Sequence, residues 1–188
     1  DVQVITPTDF PDFLKWMPAA QDILIYPNEE SKFAQRIANS TLIFTLDFNN
    51  LLRAKPLTPL LEQSGADFVM IDHHQQPDTY AKITYSDDKA SSTCELIYKT
   101  IVSLSSVEAI NYEIATCLYT GIMTDTGGFR YSLTSPETHR IVATLLEKGA
   151  DCTKISSQVL DSYSIDRLLL LGHVLNDLTY LEQYHTAY

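Results

Sequence analysis

Two apolar runs, each closed by an acid, constrain this chain more than anything else in it. The first, Thr41-Leu42-Ile43-Phe44-Thr45-Leu46, ends on Asp47. The second, Phe68-Val69-Met70-Ile71, ends on Asp72-His73-His74. Both are short and rich in aliphatic and aromatic residues, as buried strands are. Between them residues 49–64 read as a helix, broken near its start by Pro56 and Pro59 and capped at its C-terminus by Gly65. Strand, helix and strand within about thirty residues make a βαβ unit, which forces the two strands parallel. Asp47 and Asp72 therefore come out at one edge of the sheet. That is the carboxyl edge, where open α/β sheets place their active sites. The bland reading makes Asp72 a turn cap and the two histidines surface residues. An acid and two histidines directly after a buried strand favour function over that reading.

The rest of the chain extends the pattern. Residues 2–6 and 22–26 read as strands, 13–17 as a helical turn and 31–37 as a helix. Residues 82–85 read as a further short strand. The nearly unbroken apolar character of residues 41–46 predicts a strand covered on both faces. The second half is mostly helical. Ser92-x-x-Glu95 is a capping box opening a helix to about Leu104, and Ser105-x-x-Glu108 is a second, opening an apolar helix to about Met123. Ser135-Pro136-Glu137 starts a third, with Pro at the first helical position, and Gly149 ends it. Residues 151–160 and 164–182 complete the helices. One α/β domain, a mostly parallel sheet flanked by helices, is the expected fold.

Composition narrows the partners. The net charge is −11, from 13 basic and 24 acidic residues. Long nucleic acids bind through Lys and Arg on phosphates, so the balance argues against them. A small anionic substrate remains open if metal ions or a few local cations offset the repulsion. No apolar run approaches the length of a membrane span. Cys94, Cys117 and Cys152 are widely spaced and without a C-x-x-C pair, which favours a reducing, cytoplasmic setting and small buried thiols. A second copy of the chain is left open as a partner. The absence of an initial Met, with a strand entered at once, suggests a fragment of a longer polypeptide.

A third motif, Thr124-Asp125-Thr126-Gly127-Gly128-Phe129-Arg130, lies between the second and third of these helices. Its paired glycines permit a sharp turn and close approach of backbone to a ligand. By itself it reads equally well as a helix C-cap with an incidental acid. Taken together, Asp47, Asp72, His73, His74 and Asp125 mix carboxylate and imidazole, a donor set suited to manganese, iron or zinc, with the oxygen-rich balance leaning to manganese. A two-metal site can clamp a phosphoryl group and generate hydroxide near neutral pH. Neither a Walker-type glycine loop nor a G-x-S-x-G elbow is present.

These three motifs, in this order and spacing, resemble the DHH phosphoesterase family, in particular its nanoRNase and pAp-phosphatase branch, also labelled exopolyphosphatase-related. The resemblance covers essentially the whole chain. It implies a manganese-dependent hydrolase acting on short oligonucleotides, linear dinucleotides or nucleoside bisphosphates, with polyphosphate hydrolysis or silent nucleotide binding as alternatives. It implies that Asp47 bridges two Mn2+ ions and that His73 and Asp125 complete the shell of one. Asp72 would orient a histidine, His74 would act at the scissile phosphate, and Arg130 would help to hold substrate. The family's first motif, His-x-x-x-Asp-x-Asp, is not found. The nearest match, His173-x-x-x-Asp177, falls in a late helix and lacks the final Asp. The family's substrate-binding domain would follow residue 188. The expectation is therefore the central body of a DHH domain, holding at most one metal well by itself.

Overall fold

The computed structural model describes residues 2–26, 30–162 and 164–187. Its centre is a parallel sheet of β3 (Leu42–Leu46), β4 (Asp67–Asp72) and β5 (Ile83–Ser86), in that spatial order. Leu46 pairs with Ile71 and Asp72 with Ser86, so all three strands deliver their carboxyl ends to one edge. The expected parallel βαβ unit is present. A separate pair, β1 (Ile5–Thr6) and β2 (Leu24–Ile25), is also parallel and shorter than the runs that suggested it.

The connection between β3 and β4 is not one helix. Residues 51–54 form a 3-10 turn, Lys55-Pro56 is cis, and α2 spans only Thr58–Glu62. Proline explains the break, since it cannot donate to a helical ladder. The helix ends on Gln63, so Gly65 lies beyond it and caps nothing. With α1 (Glu30–Ala38), this connection buries Phe33, Ile37, Leu51, Leu57 and Leu61 against Phe68 of β4.

Only one face of β3 is covered. Thr45 is buried, while Leu42, Phe44 and Leu46 are 49%, 55% and 41% exposed. They share a face because side chains alternate along a strand. β3 lies at the edge of its sheet among the described residues, and the expectation of two covered faces fails there.

The second half packs helices on helices. α3 (Thr93–Leu104) begins at the Ser92 cap as expected. The Ser105 box does not open a helix. Ser105 terminates α3, Ser106 caps a 3-10 turn, and α4 (Tyr112–Asp125) starts at Asn111, whose side chain accepts from the Ile114 amide. α5 (Pro136–Glu147) has the expected capping box, completed by Thr138, and ends before Gly149, whose φ of 101° suits glycine. Leu118, Ile122 and Met123 of α4 form the main core with Ile141 and Leu145 of α5 and Ile155 of α6 (Cys152–Leu160). Cys152 opens α6 and is exposed, contrary to the expectation of a buried thiol. α7 (Ile165–Asn176) stops short of residue 182, and β6 (Tyr180–Leu181) and β7 (Thr186–Ala187) form a small antiparallel hairpin after it.

Candidate metal centre

The site grows from the three places where the chain leaves a regular element at the carboxyl edge. Asp47 follows β3 directly, with its amide still bonded to the Ile71 carbonyl at 3.1 Å. Its φ is 70°, a left-handed conformation that aspartate tolerates better than most residues. Strain of this kind persists only where the surroundings fix it, and it concentrates at functional sites. Asp72 is the last residue of β4, and His73 and His74 follow it. Asp125 is the last residue of α4, two residues further along the helix than the sequence suggested. The glycines after it, at φ 59° and 71°, reverse the chain as expected.

The three motifs meet. Asp47, His73 and His74 offer ligand atoms that all lie within 4.8 Å of one another. His73 Nε2 is 3.1 Å from Asp125 Oδ2 and 3.7 Å from Asp47 Oδ1, and His74 Nδ1 is 3.7 Å from that same Asp47 oxygen. Arg130 is not part of the cluster. Its exposed Nε–H donates to the Gly127 carbonyl at 2.6 Å and closes its own turn. His173 of α7 pairs with Asp177 just after it at 3.4 Å, with both side chains mostly exposed.

Each histidine is oriented from behind. His73 Nδ1 faces the Ala90 carbonyl at 3.3 Å, which leaves Nε2 aimed at the two carboxylates. Asp72 is fully buried. It accepts the His74 backbone N–H at 2.9 Å and the His74 ring Nδ1–H at 2.8 Å. A buried carboxylate needs such partners, and in return it fixes the tautomer and leaves His74 Nε2 to face outward.

The donor set fits a divalent metal ion. Imidazole nitrogens and carboxylate oxygens converge, the histidines have supporting hydrogen bonds, and Asp47 and Asp125 leave oxygens accessible. Without an ion, the hydrogen bond to Asp125 raises His73 to about 9, against the opposing effect of burial. His73 then sits as an imidazolium between two carboxylates. A folded-state value above the unfolded one of 6.5 gives stability that is complete below pH 6.5 and lost as pH rises through about 9. In EDTA the chain is expected to lose on the order of 2 kcal/mol between pH 6.5 and 9.5, roughly 5 °C in Tm. Melting curves across that window check this, and His73→Gln should flatten the change. A flat profile for the unaltered chain would count against the His73–Asp125 ion pair.

In the sequence Ser91, Ser92 and Thr93 read as possible donors to a phosphate at a helix N-terminus that capping explains without a ligand, so the contact Thr93 makes with Asp47 was not foreseen. The Thr93 hydroxyl donates to Asp47 Oδ1 at 2.7 Å, joining the start of α3 to the end of β3. The available signal was three consecutive hydroxyl residues, Ser91-Ser92-Thr93, where one suffices to cap a helix. Glu95 was read only as a box partner. It is buried and accepts from the Ser91 hydroxyl at 2.6 Å and the Thr138 hydroxyl at 2.8 Å, which ties the starts of α3 and α5 together.

Residues 3–122 match the family described as DHH family, N-terminal domain, a stretch that includes Asp47, Asp72, His73 and His74. A solved exopolyphosphatase-related protein of Bacteroides fragilis is 40% identical, with a TM-score of 0.95 over 99% of this chain and 55% of that one. A Streptococcus mutans protein named a probable bifunctional oligoribonuclease and PAP phosphatase NrnA is 34% identical over 115 residues, 61% of this chain and 36% of its own length. The bifunctional oligoribonuclease and PAP phosphatase NrnA of Thermus thermophilus is 28% identical over 151 residues, 80% of this chain and 42% of its own. The chain thus spans well under two thirds of the relatives it matches.

Proposed function

The chain belongs to the DHH family, and on that premise we propose that it is the metal-binding body of a manganese-dependent phosphoesterase. The substrates in this reading are short oligonucleotides, linear dinucleotides or nucleoside bisphosphates. The observation that supports it most is the convergence of Asp47, His73 and His74 within 4.8 Å, with Asp125 beside His73. Similarity to proteins named as oligoribonuclease and PAP phosphatase supports the substrate class. The residues 1–188 are read as a DHH domain body whose partner motif and substrate-binding domain belong to the whole enzyme.

In this reading Asp47, His73 and Asp125 would hold the Mn2+ of the centre. Bound ions supply the acidity that turns water into a nucleophile near neutral pH. The rest is done by the protein's own atoms. Asp72 keeps a proton on His74 Nδ1, so Nε2 is presented in one orientation to the scissile phosphate. In the imidazolium form, whose Nδ1–H the Asp72 carboxylate accepts, Nε2 donates a hydrogen bond there, or the proton that the departing oxygen takes, leaving the neutral ring with its remaining proton on Nδ1. Arg130 uses Nε to hold its turn, leaving its terminal nitrogens for a substrate phosphate. The net charge of −11 suits small substrates better than long strands. Among the described residues no helix is long and apolar enough to cross a membrane. Three unpaired cysteines fit a cytoplasmic setting.

The test is manganese-dependent release of mononucleotide from a 5′-phosphorylated diadenylate by the full-length protein, with Asp47→Ala as control. Release that falls by at least about 100-fold in the variant supports the reading, as expected for a lost metal ligand. Turnover of polyphosphate in place of the dinucleotide would shift the function towards that suggested by the name of the Bacteroides fragilis relative. Metal binding without turnover of either substrate would leave a silent nucleotide-binding module.

A further inference from the structure

We propose that Thr93 is a positioning residue of the metal centre. Its hydroxyl fixes the one Asp47 oxygen that faces both histidines. The inference rests on the metal-centre reading above and deepens it.

Asp47 is held at its backbone, and burial does little to hold its side chain. Its amide is bonded across the sheet to Ile71, while its side chain is 57% exposed. An exposed carboxylate on a fixed backbone samples several rotamers, and each one that turns away from the histidines lowers ion affinity. The contact that opposes this comes from Thr93, 46 residues further along the chain. Thr93 Oγ1 lies 2.7 Å from Asp47 Oδ1, and Oδ1 is the oxygen found 3.7 Å from His73 Nε2 and 3.7 Å from His74 Nδ1. A carboxylate oxygen carries two lone pairs, so it can accept from the hydroxyl and still face an ion.

Capping does not account for this hydroxyl. Ser92 caps α3 through the Glu95 amide, and Ser91 donates to the Glu95 carboxylate. Thr93 is 95% buried, its relative exposure being 5%, so its own rotamer is fixed by packing. The result is a buried donor on a helix start bonded to an exposed acceptor on a strand end. This is the arrangement by which groups behind a metal ligand tune its affinity.

The test is a manganese titration of the full chain, read by calorimetry and by the EPR signal of free Mn2+, for the unaltered protein, Thr93→Val, Thr93→Ala, Thr93→Ser and Asp47→Ala. Thr93→Val and Thr93→Ala are expected to weaken binding by about 10-fold, at the lower end for such partners. Thr93→Ser should stay within about twofold of the unaltered chain. Melting curves in EDTA should differ little between Thr93→Ser and the unaltered chain, so its retained affinity reports the hydroxyl and not the methyl group. Thr93→Ala removes the hydroxyl without adding bulk, and guards against misfolding of the valine form. Unchanged or tighter binding in Thr93→Val and Thr93→Ala, with binding lost in Asp47→Ala, would overturn the role of Thr93 alone. No manganese binding by the unaltered chain would overturn the metal centre and the role of Thr93 together.

Discussion

Replacing Gly121 with alanine is expected to destabilise the chain by about 2–3 kcal/mol, a fall of roughly 5–10 °C in Tm. Gly121 lies in the middle of α4, where alanine is normally the better helix former by about 1 kcal/mol. The surroundings reverse that preference. A Cβ at Gly121 would come within 2.2 Å of Cys94 Sγ and 3.1 Å of Cys94 Cβ. Cys94 is in the first turn of α3, so the missing side chain is what lets α3 and α4 pack closely. The Cys94 thiol is pushed up to about 12 by burial, so the sulfur is a neutral packing atom at neutral pH. The thiol cannot simply swing aside, because few rotamers are open to it on a helix.

The helices must therefore move apart, and they carry Thr93 and Asp125 to the site. Gly121→Ala should weaken manganese binding as well as stability. Cys94→Ala in the same molecule removes the 2.2 Å contact and should recover at least half of the lost stability. A double-mutant cycle by thermal and urea unfolding measures this coupling. Additive effects would show that the packing of α3 on α4 is not limited at this point.

Asp72→Asn is expected to reduce metal-dependent hydrolysis by at least about 100-fold while the fold survives. The substitution keeps volume and shape but replaces an oxygen by a donor. Asp72 accepts two hydrogens, from the His74 backbone and from its ring. Asparagine can accept through one atom only, so an N–H group is left facing another N–H group inside the protein. That costs about 1–3 kcal/mol, and it releases the ring to the other tautomer or to another rotamer. The loss should appear in kcat more than in KM if His74 acts at the scissile phosphate. NMR of the His74 ring nitrogens gives the tautomer directly. A kcat within about twofold of the unaltered enzyme would remove His74 and Asp72 from the chemistry.

The sequence by itself determined the parallel βαβ unit and the meeting of its ends. The reason is local: two short apolar runs and the segment between them leave the chain one economical way to bury both. It also determined Asp47, Asp72, His73 and His74 as a set, because residues that end adjacent parallel strands must share an edge. Asp125 was legible as a candidate by its residue type and the glycines after it, but its pairing with the other ligands came only through resemblance, since His73 lies 52 residues earlier and no periodicity links them. The break at Pro56 was legible, but the shrinking of that helix to Thr58–Glu62 and the late start of α4 after the Asn111 cap escaped the pattern. Caps recur in sequence more often than helices begin, and tertiary packing selects among them.

Only the tertiary structure decided how the site is held. The bond from Thr93 to Asp47, the Ala90 carbonyl behind His73 and the buried Glu95 that joins α3 to α5 are contacts between elements distant in the chain. Their existence depends on how α3 sits against the end of β3 and against α4, where Cys94 fits the space at Gly121. Residue types can nominate the ligands of a metal ion, because ligand chemistry belongs to the side chain. The distances and orientations that make those ligands a site belong to the packing of helices on a sheet, and no single segment carries them.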